Sequence, residues 1–320
     1  MSDKNMLEVT DLTKHFQLKN KKQVVHAVDG ISFSIPRGKT LGLVGESGCG
    51  KSTCARTVIR IYEPTAGRIV LDGQDITDLS QKQLKPLRRK MQMIFQDPYA
   101  SLNARMVVRD IIAEPLFAHG VIRSKKEAGD YVYPMLERVG LTREHADRYA
   151  HEFSGGQRQR IGIARALVLQ PELVICDEPI SALDVSIQAQ VVNLLKDYQE
   201  EKGISYLFIA HDLSMVRYVS DEVGVMYLGQ MAELCEAEEI YRHPLHPYTK
   251  GLLGSIPIPN PKLARQKESS GMQGDIPSPV NPPTGCRFHT RCPYAKAVCS
   301  EQAPCLREVS PGHQVACHLY

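Results

Sequence analysis

The sequence has no apolar run near the ~18 residues needed to cross a bilayer. Its first residues, Met1-Ser2-Asp3-Lys4-Asn5, lead into an amphipathic segment rather than a signal-peptide core. Charge of one sign is also scarce. The 39 Lys and Arg against 36 Asp and Glu leave +3, too little for a global field that favours nucleic acid or an acidic surface. No internal repeat is present. Integral membrane protein, secreted mini-protein, collagen and coiled coil are thereby excluded, and a cytoplasmic globular protein is expected. The hydrophobic share of 42% can build a substantial core, and 320 residues correspond to about two domains.

Cysteines are sparse until the end of the chain. Five of the nine fall after residue 285, where even spacing would leave about one: Cys286, Cys292, Cys299, Cys305 and Cys317. Cys49, Cys54, Cys176 and Cys235 are scattered, as reduced thiols are in a reducing compartment. An odd total without a secretion signal argues against a pure disulfide framework.

Hydrophobic pattern places the elements. Leu7 to Leu12 and Val24 to Val28 read as strands around a polar turn, Lys19-Asn20-Lys21-Lys22. That basic turn is either a solvated hairpin tip or a contact for phosphate or lipid headgroups. Ile31, Phe33 and Ile35 alternate with polar residues, as in a half-buried strand. Thr40 to Val44, Met91 to Phe95, Leu173 to Cys176 and Tyr206 to Ala210 are short apolar strands. With helical stretches such as Ser186 to Glu201, they predict an α/β fold with a parallel, helix-covered sheet. Between about 103 and 170 the pattern turns helical, over Val107 to Phe117, Lys125 to Val139 and Gln157 to Leu169. After 243, prolines break regular structure. Pro247 to Ser255 can hold a short helix with proline at its start, 256–285 reads as an extended linker, and the cysteine-rich tail follows.

Gly45-Glu46-Ser47-Gly48-Cys49-Gly50-Lys51-Ser52 matches G-x-x-x-x-G-K-[ST], the P-loop. Its glycines let backbone N–H groups point inward at phosphate oxygens, and the following helix presents its positive end to the same anion. Lys51 is placed to reach β- and γ-phosphates and the Ser52 hydroxyl to reach Mg²⁺. The nucleotide contacts expected are Gly45 through Ser52 together with Thr53. A second apolar strand ends in Asp177-Glu178. There, one carboxylate can hold Mg²⁺ and the next can polarise an attacking water. An isolated acidic pair is commonly a solvated turn, and the P-loop is what favours the functional reading.

Further stretches resemble the ABC ATPases. Phe153-Ser154-Gly155-Gly156-Gln157 is similar to that family's signature, which more often begins with leucine. Gln96 stands where the Q-loop glutamine does, Ser181-Ala182-Leu183-Asp184 resembles the D-loop, and His211 the switch histidine. The order of motifs is the family's, over roughly residues 5–243. The resemblance implies a P-loop ABC-type nucleotide-binding domain over 1–243. That domain would carry an antiparallel β subdomain and a helical subdomain at about 103–170, and a Pro-rich linker and small irregular cysteine-rich region would follow it over 244–320. It also implies Glu178, His211, Lys51 and Gln96 as catalytic residues, with Ser52, Gln96 and Asp177 around Mg²⁺. Phe16 is expected either to stack on adenine or to be a core residue. Ser154, Gly155, Gly156 and Gln157, with Ser181 and Asp184, would close on nucleotide held by a second protomer. Ser154 also reads as the cap of a helix whose glycines let a phosphate approach.

Phe95 to Asn103, His246-Pro247-Tyr248-Thr249 and Pro282-Pro283-Thr284-Gly285-Cys286 resemble the ATP-binding subunits of dipeptide/oligopeptide importers, and Tyr99 and Cys49 their F-type. That resemblance implies import driven by ATP and Mg²⁺, with a second ATPase subunit (a D-type relative or another copy) and two transmembrane permease subunits as partners. An extracytoplasmic binding protein would take part indirectly, nucleic acid would not be bound, and the chain would sit on the cytoplasmic face of the inner membrane. Asp97 to Asp110 would lie near the membrane subunit. Nickel and glutathione importers share this ATPase type, and a soluble ABC ATPase acting on nucleic acid or ribosomes is the further alternative. The tail lacks the close C-x₂₋₄-C pairs of structural zinc sites. The importer resemblance implies a [4Fe–4S] cluster on Cys286, Cys292, Cys299 and Cys317, with Cys305 a spare or competing ligand. Zinc and uncoordinated thiols are the alternatives.

Overall fold

The computed structural model describes residues 5–18, 23–181, 183–211, 213–256 and 274–320. The basic turn at 19–22, Ala182 of the D-loop stretch, and residues 257–273 of the linker lie outside these. The chain forms two compact units, one of Met1–Leu7, Ser34–Thr40 and Val70–Ala210, the other of Glu8–Phe33, Leu41–Ile69 and His211–Tyr320.

The first unit is built on three parallel strands. Met91–Ile94 pairs with Leu173–Asp177, and Leu173–Asp177 with Ser205–Ile209. Every residue of the latter two strands is buried, so they read as unbroken apolar runs rather than alternating ones. The helix expected at Ser186 to Glu201 spans Val185–Lys202 and ends at Gly203, whose φ of 67° suits a residue without Cβ. The helical stretch holds Pro98–Ser101, Val108–Ala118, Ala128–Arg138 and Gly155–Leu167, with two 3₁₀ turns before the last. Ile111, Ile112, Leu116, Val132, Leu136, Ile161 and Ile163 are its buried core. Its second long helix starts at Ala128 instead of Lys125. The Glu127 carboxylate accepts from the Ser124 hydroxyl at 2.6 Å and the Arg123 amide at 3.2 Å, which holds that segment in a turn.

In the second unit, Thr40–Val44 pairs in parallel with Glu222–Tyr227. Gln230–Glu236 then runs antiparallel to Glu222–Tyr227, His313–Val315 antiparallel to Gln230–Glu236, and Arg307–Ser310 antiparallel to His313–Val315. The cysteine-rich tail thus adds two short strands that sequence pattern did not reveal. Glu233, fully buried, joins the pieces: its carboxylate accepts from the Leu245 amide at 2.7 Å, the His246 amide at 2.9 Å and His313 Nε2 at 2.8 Å.

The helix expected at Pro247 spans Pro247–Gly254, with proline in its first turn and His246 as its cap, Nδ1 accepting from the Tyr248 amide at 3.0 Å. Burial holds the His246 pKa down at about 4. The folded state therefore resists a proton that the unfolded chain accepts near 6.5, so stability is fully present above that pH and falls as pH drops toward about 4. The loss is on the order of 3 kcal/mol. Urea unfolding at pH 7.5 and 5 is expected to show this slope, and His246→Asn, which can still cap, to flatten it.

Candidate functional site

The P-loop follows the fully buried strand Thr40–Val44 in the second unit. Gly45, Gly48 and Gly50 have φ of 151°, 78° and 107°. A Cβ on Gly45 would strike the Met226 carbonyl and Cys49 Sγ, and one on Gly50 the Ala27 carbonyl. Glycine is demanded at these two places by packing as well as by conformation. Gly50 caps Lys51–Val58 with no side chain, so that helix end keeps its N–H groups for an anion. Lys51, 4% exposed, donates from Nζ to the Gly45 carbonyl at 2.7 Å and the Glu46 carbonyl at 3.0 Å. Its ammonium thus stands inside the loop. Ser52 and Thr53 lie in the first turn of that helix. Burial pushes the Cys49 thiol up, against the opposing charge of Lys51.

Glu46 faces away from that interior. Its carboxylate takes both arms of Arg291, Nη1 to Oε2 at 2.7 Å and Nη2 to Oε1 at 3.1 Å, and its amide donates to the Tyr248 hydroxyl at 2.8 Å. On the other side of the loop, the Gly229 amide donates to the Cys49 carbonyl at 2.8 Å. Phe16, half-buried, meets Tyr62 edge-on at 5.3 Å, with Lys14 Nζ 4.9 Å from its ring. His211, exposed, belongs to this second unit.

The first unit brings Gln96, Asp177, Glu178 and Ser181 together. Asp177 and Glu178 close the strand Leu173–Asp177 and are 0% and 5% exposed. Gln96 Nε2 donates to Glu178 Oε2 at 2.5 Å. Glu178 has φ of 50°, a left-handed conformation costly for a residue with a side chain, and its amide is held by the Ile209 carbonyl at 3.0 Å. Ser181 Oγ donates to the Glu178 carbonyl at 3.1 Å. Asp184 caps Val185–Lys202, accepting from the Ile187 amide at 3.0 Å, a contact that keeps its carboxyl below the usual range.

Ser154 caps Gly155–Leu167, reciprocally with Gln157: Ser154 Oγ accepts from the Gln157 amide at 3.4 Å and Gln157 Oε1 from the Ser154 amide at 3.1 Å. Gly155 and Gly156 have ordinary helical backbone, and a Cβ on either would find van der Waals space, 3.4 Å from the Tyr99 hydroxyl and 3.5 Å from Leu183. The chain's own packing therefore does not require glycine at either position.

In the tail, Cys286, Cys292 and Cys299 are half-buried, Cys317 is buried and Cys305 exposed. Burial pushes the Cys286 thiol up to about 11, and Cys299, Cys317 and Cys292 push the same way. Cys292 is raised by burial and by Cys317 and Cys299. These four thiols thus act on one another electrostatically. Among the described residues, only His15, His26 and Asp29 bring three donor atoms within 4.8 Å of one another. The four thiols are thus wider apart than a tetrahedral zinc at about 2.3 Å from each sulfur would hold them. Four cysteine thiolates are the donor set that a [4Fe–4S] cluster takes. At Asp29 a cation is already in place: Arg287 pairs with the carboxylate and also donates to the Leu228 carbonyl. A cleft of about 400 Å³ opens beside the tail, with Asp29, Arg287, Cys286 and Cys305 in its wall, and Gly45–Ser52 take no part in it.

Sequence reasoning did not single out Arg291 and Arg287, and it named Tyr248 only within the importer-like stretch His246-Pro247-Tyr248-Thr249, with no role at the loop. Glu46 and Arg291 are 245 positions apart, and neither sits in a pattern that points to the other.

Residues 28–181 match the ABC transporter family, and 232–299 match the oligopeptide/dipeptide transporter C-terminal region. A putative oligopeptide transport ATP-binding protein of Bacillus subtilis, YkfD, is 58% identical over 98% of this chain and 95% of its own. The oligopeptide transport ATP-binding protein AppF of the same organism is 55% identical over 100% and 98%. OppF of Salmonella typhimurium, another such protein, is 51% identical over 98% and 96%. Among solved structures, the dimeric ATP-binding cassette MJ0796 in a post-hydrolysis state with ADP and Pi is similar with TM-score 0.68 and 26% identity, over 72% of this chain and 99% of that one. With a glycine-built phosphate cradle, a strained acidic strand end and a capped S-G-G-Q helix all on it, the chain belongs to the ABC transporter ATP-binding proteins and is an ATPase of that type.

Proposed function

We propose that this ATPase powers import of di- or oligopeptides through a membrane ABC transporter, bound at the cytoplasmic face of the membrane to two permease subunits. The observation that carries the reading is the pairing on one chain of an ABC ATPase with the oligopeptide/dipeptide C-terminal region, in near full-length likeness to oligopeptide transport proteins. No helix among the described residues is long and apolar enough to cross a membrane. The path for the substrate would lie in the permease subunits.

Lys51 and the loop amides would hold the β- and γ-phosphates of ATP. Ser52, Asp177 and Gln96 would hold Mg²⁺, which supplies charge neutralisation. Glu178 would accept the proton of the attacking water, with Gln96 keeping its carboxylate in place and His211 steadying the γ-phosphate. Phe16 would stack on adenine. Ser154 through Gln157, with Ser181 and Asp184, would close on nucleotide bound by a second ATPase subunit. The glycines at 155 and 156 support this, because packing among the described residues does not require them. Cys286, Cys292, Cys299 and Cys317 would ligate a [4Fe–4S] cluster with a structural role in the tail.

Co-purification with the permease subunits, reconstitution in vesicles and uptake of labelled peptide, Ni²⁺ and glutathione test the reading. ATP-dependent accumulation of peptide alone is expected, and accumulation of Ni²⁺ or glutathione instead would overturn it. Anaerobic protein is expected to be brown and to contain iron and sulfide; colourless, metal-free, stable protein would remove the cluster.

A further inference from the structure

The P-loop carries a carboxylate at its second position, in a loop that must receive a polyanion. Left unpaired, Glu46 would oppose the incoming triphosphate. Arg291 cancels that charge through two parallel hydrogen bonds at 2.7 and 3.1 Å. Its own position is fixed. The side chain is 5% exposed, its guanidinium lies 5.9 Å from the Tyr227 ring and 6.0 Å from Phe288, and Nη1 donates to the Tyr227 hydroxyl at 3.5 Å. Tyr227, Tyr248 and Phe288 pack on one another with centroids 4.7 to 5.4 Å apart. This aromatic group also carries the Tyr248 hydroxyl that receives the Glu46 amide. Arg291 directly precedes Cys292, and the Cys286 amide donates to the Cys299 carbonyl at 2.8 Å, so the cysteine loop is tied at its base.

We infer that Arg291 is a positioning residue for nucleotide binding, which neutralises Glu46 and braces the opening turn of the P-loop, so that the order of the Cys286–Cys292 loop sets ATP affinity. It acts through Glu46 and touches no nucleotide. The inference concerns the ATP step alone, so its Arg291 and Glu46 arms stand or fall independently of the peptide reading and of what the four thiols hold, while the Cys292 arm rests on the thiols being ligated.

The test is calorimetric binding of a non-hydrolysable ATP analogue to the full chain, with steady-state ATP hydrolysis and amide hydrogen exchange beside it. Arg291→Gln is expected to weaken binding about tenfold or more. KM for ATP should rise while kcat stays within about threefold, and the amides of Glu46 and Cys49 should exchange faster. Removing the stranded charge as well, in Glu46→Gln with Arg291→Gln, should recover most of the affinity. Arg291→Lys should recover part, because it keeps the charge and loses the two-armed geometry. Cys292→Ser should weaken binding by the same route and add little in the Arg291→Gln background. Wild-type affinity in Arg291→Gln, a double variant no better than that single one, or fully additive Cys292→Ser would each overturn the inference. Should Arg291→Gln fail to fold, Arg291→Lys with wild-type exchange and affinity would overturn it equally.

Discussion

Glu178→Gln is expected to bind ATP as the wild type does and to lose about 10²–10⁴ of its turnover, the range for removing a positioned base. The substitution keeps side-chain shape, and an amide oxygen can still receive the Gln96 Nε2 hydrogen that the carboxylate takes at 2.5 Å. It leaves the backbone alone too: the φ of 50° and the amide bond to the Ile209 carbonyl belong to the main chain. What disappears is the basicity of one carboxylate, 5% exposed. With hydrolysis blocked, ATP-filled dimers should accumulate, visible as an ATP-dependent shift in gel filtration. Single-turnover hydrolysis and binding titration separate the two effects. Undiminished hydrolysis in this variant would take Glu178 out of the reaction.

Lys51→Ala should act on the other half of the problem and abolish nucleotide binding at ordinary concentrations. Lys51 Nζ rests on the Gly45 and Glu46 carbonyls at 2.7 and 3.0 Å, contacts it can exchange for phosphate oxygens. Charge-assisted hydrogen bonds contribute about 1.5–3 kcal/mol each, so losing one or two weakens binding by roughly 10²-fold. Melting temperature resolves binding from folding. Wild type should be stabilised by added ATP through mass action, whereas the variant should melt at one temperature with or without it. Equal stabilisation of both proteins would contradict the role given to Lys51.

How far these sites could be read from sequence follows the distance over which each is built. The P-loop is eight consecutive residues whose chemistry is local, and the S-G-G-Q cap closes within one turn. The strands before Lys51 and Asp177 were legible because burial on both faces leaves continuous apolar runs. Glu222–Tyr227 is buried except at Glu222, the charged residue on which it opens, and Gln230–Glu236 carries two glutamates, one of them the buried Glu233. Neither reads as a strand without its neighbour. The bond between Glu46 and Arg291 was beyond reach for a different reason: Glu46 reads as part of the P-loop and Arg291 as ordinary surface charge until tertiary packing brings them together. The left-handed backbone at Glu178 was equally hidden, since nothing in D-E-P marks it.

Glu233 has a consequence for how such a chain can be shortened. Its carboxylate is sealed from solvent and, among the described residues, accepts from two amides at the start of one helix and from the His313 imidazole, all beyond residue 244. A cassette trimmed of its last segment would lose these three donors and bare the edge of Gln230–Glu236 that His313–Val315 now covers, an open strand edge that invites pairing with other chains.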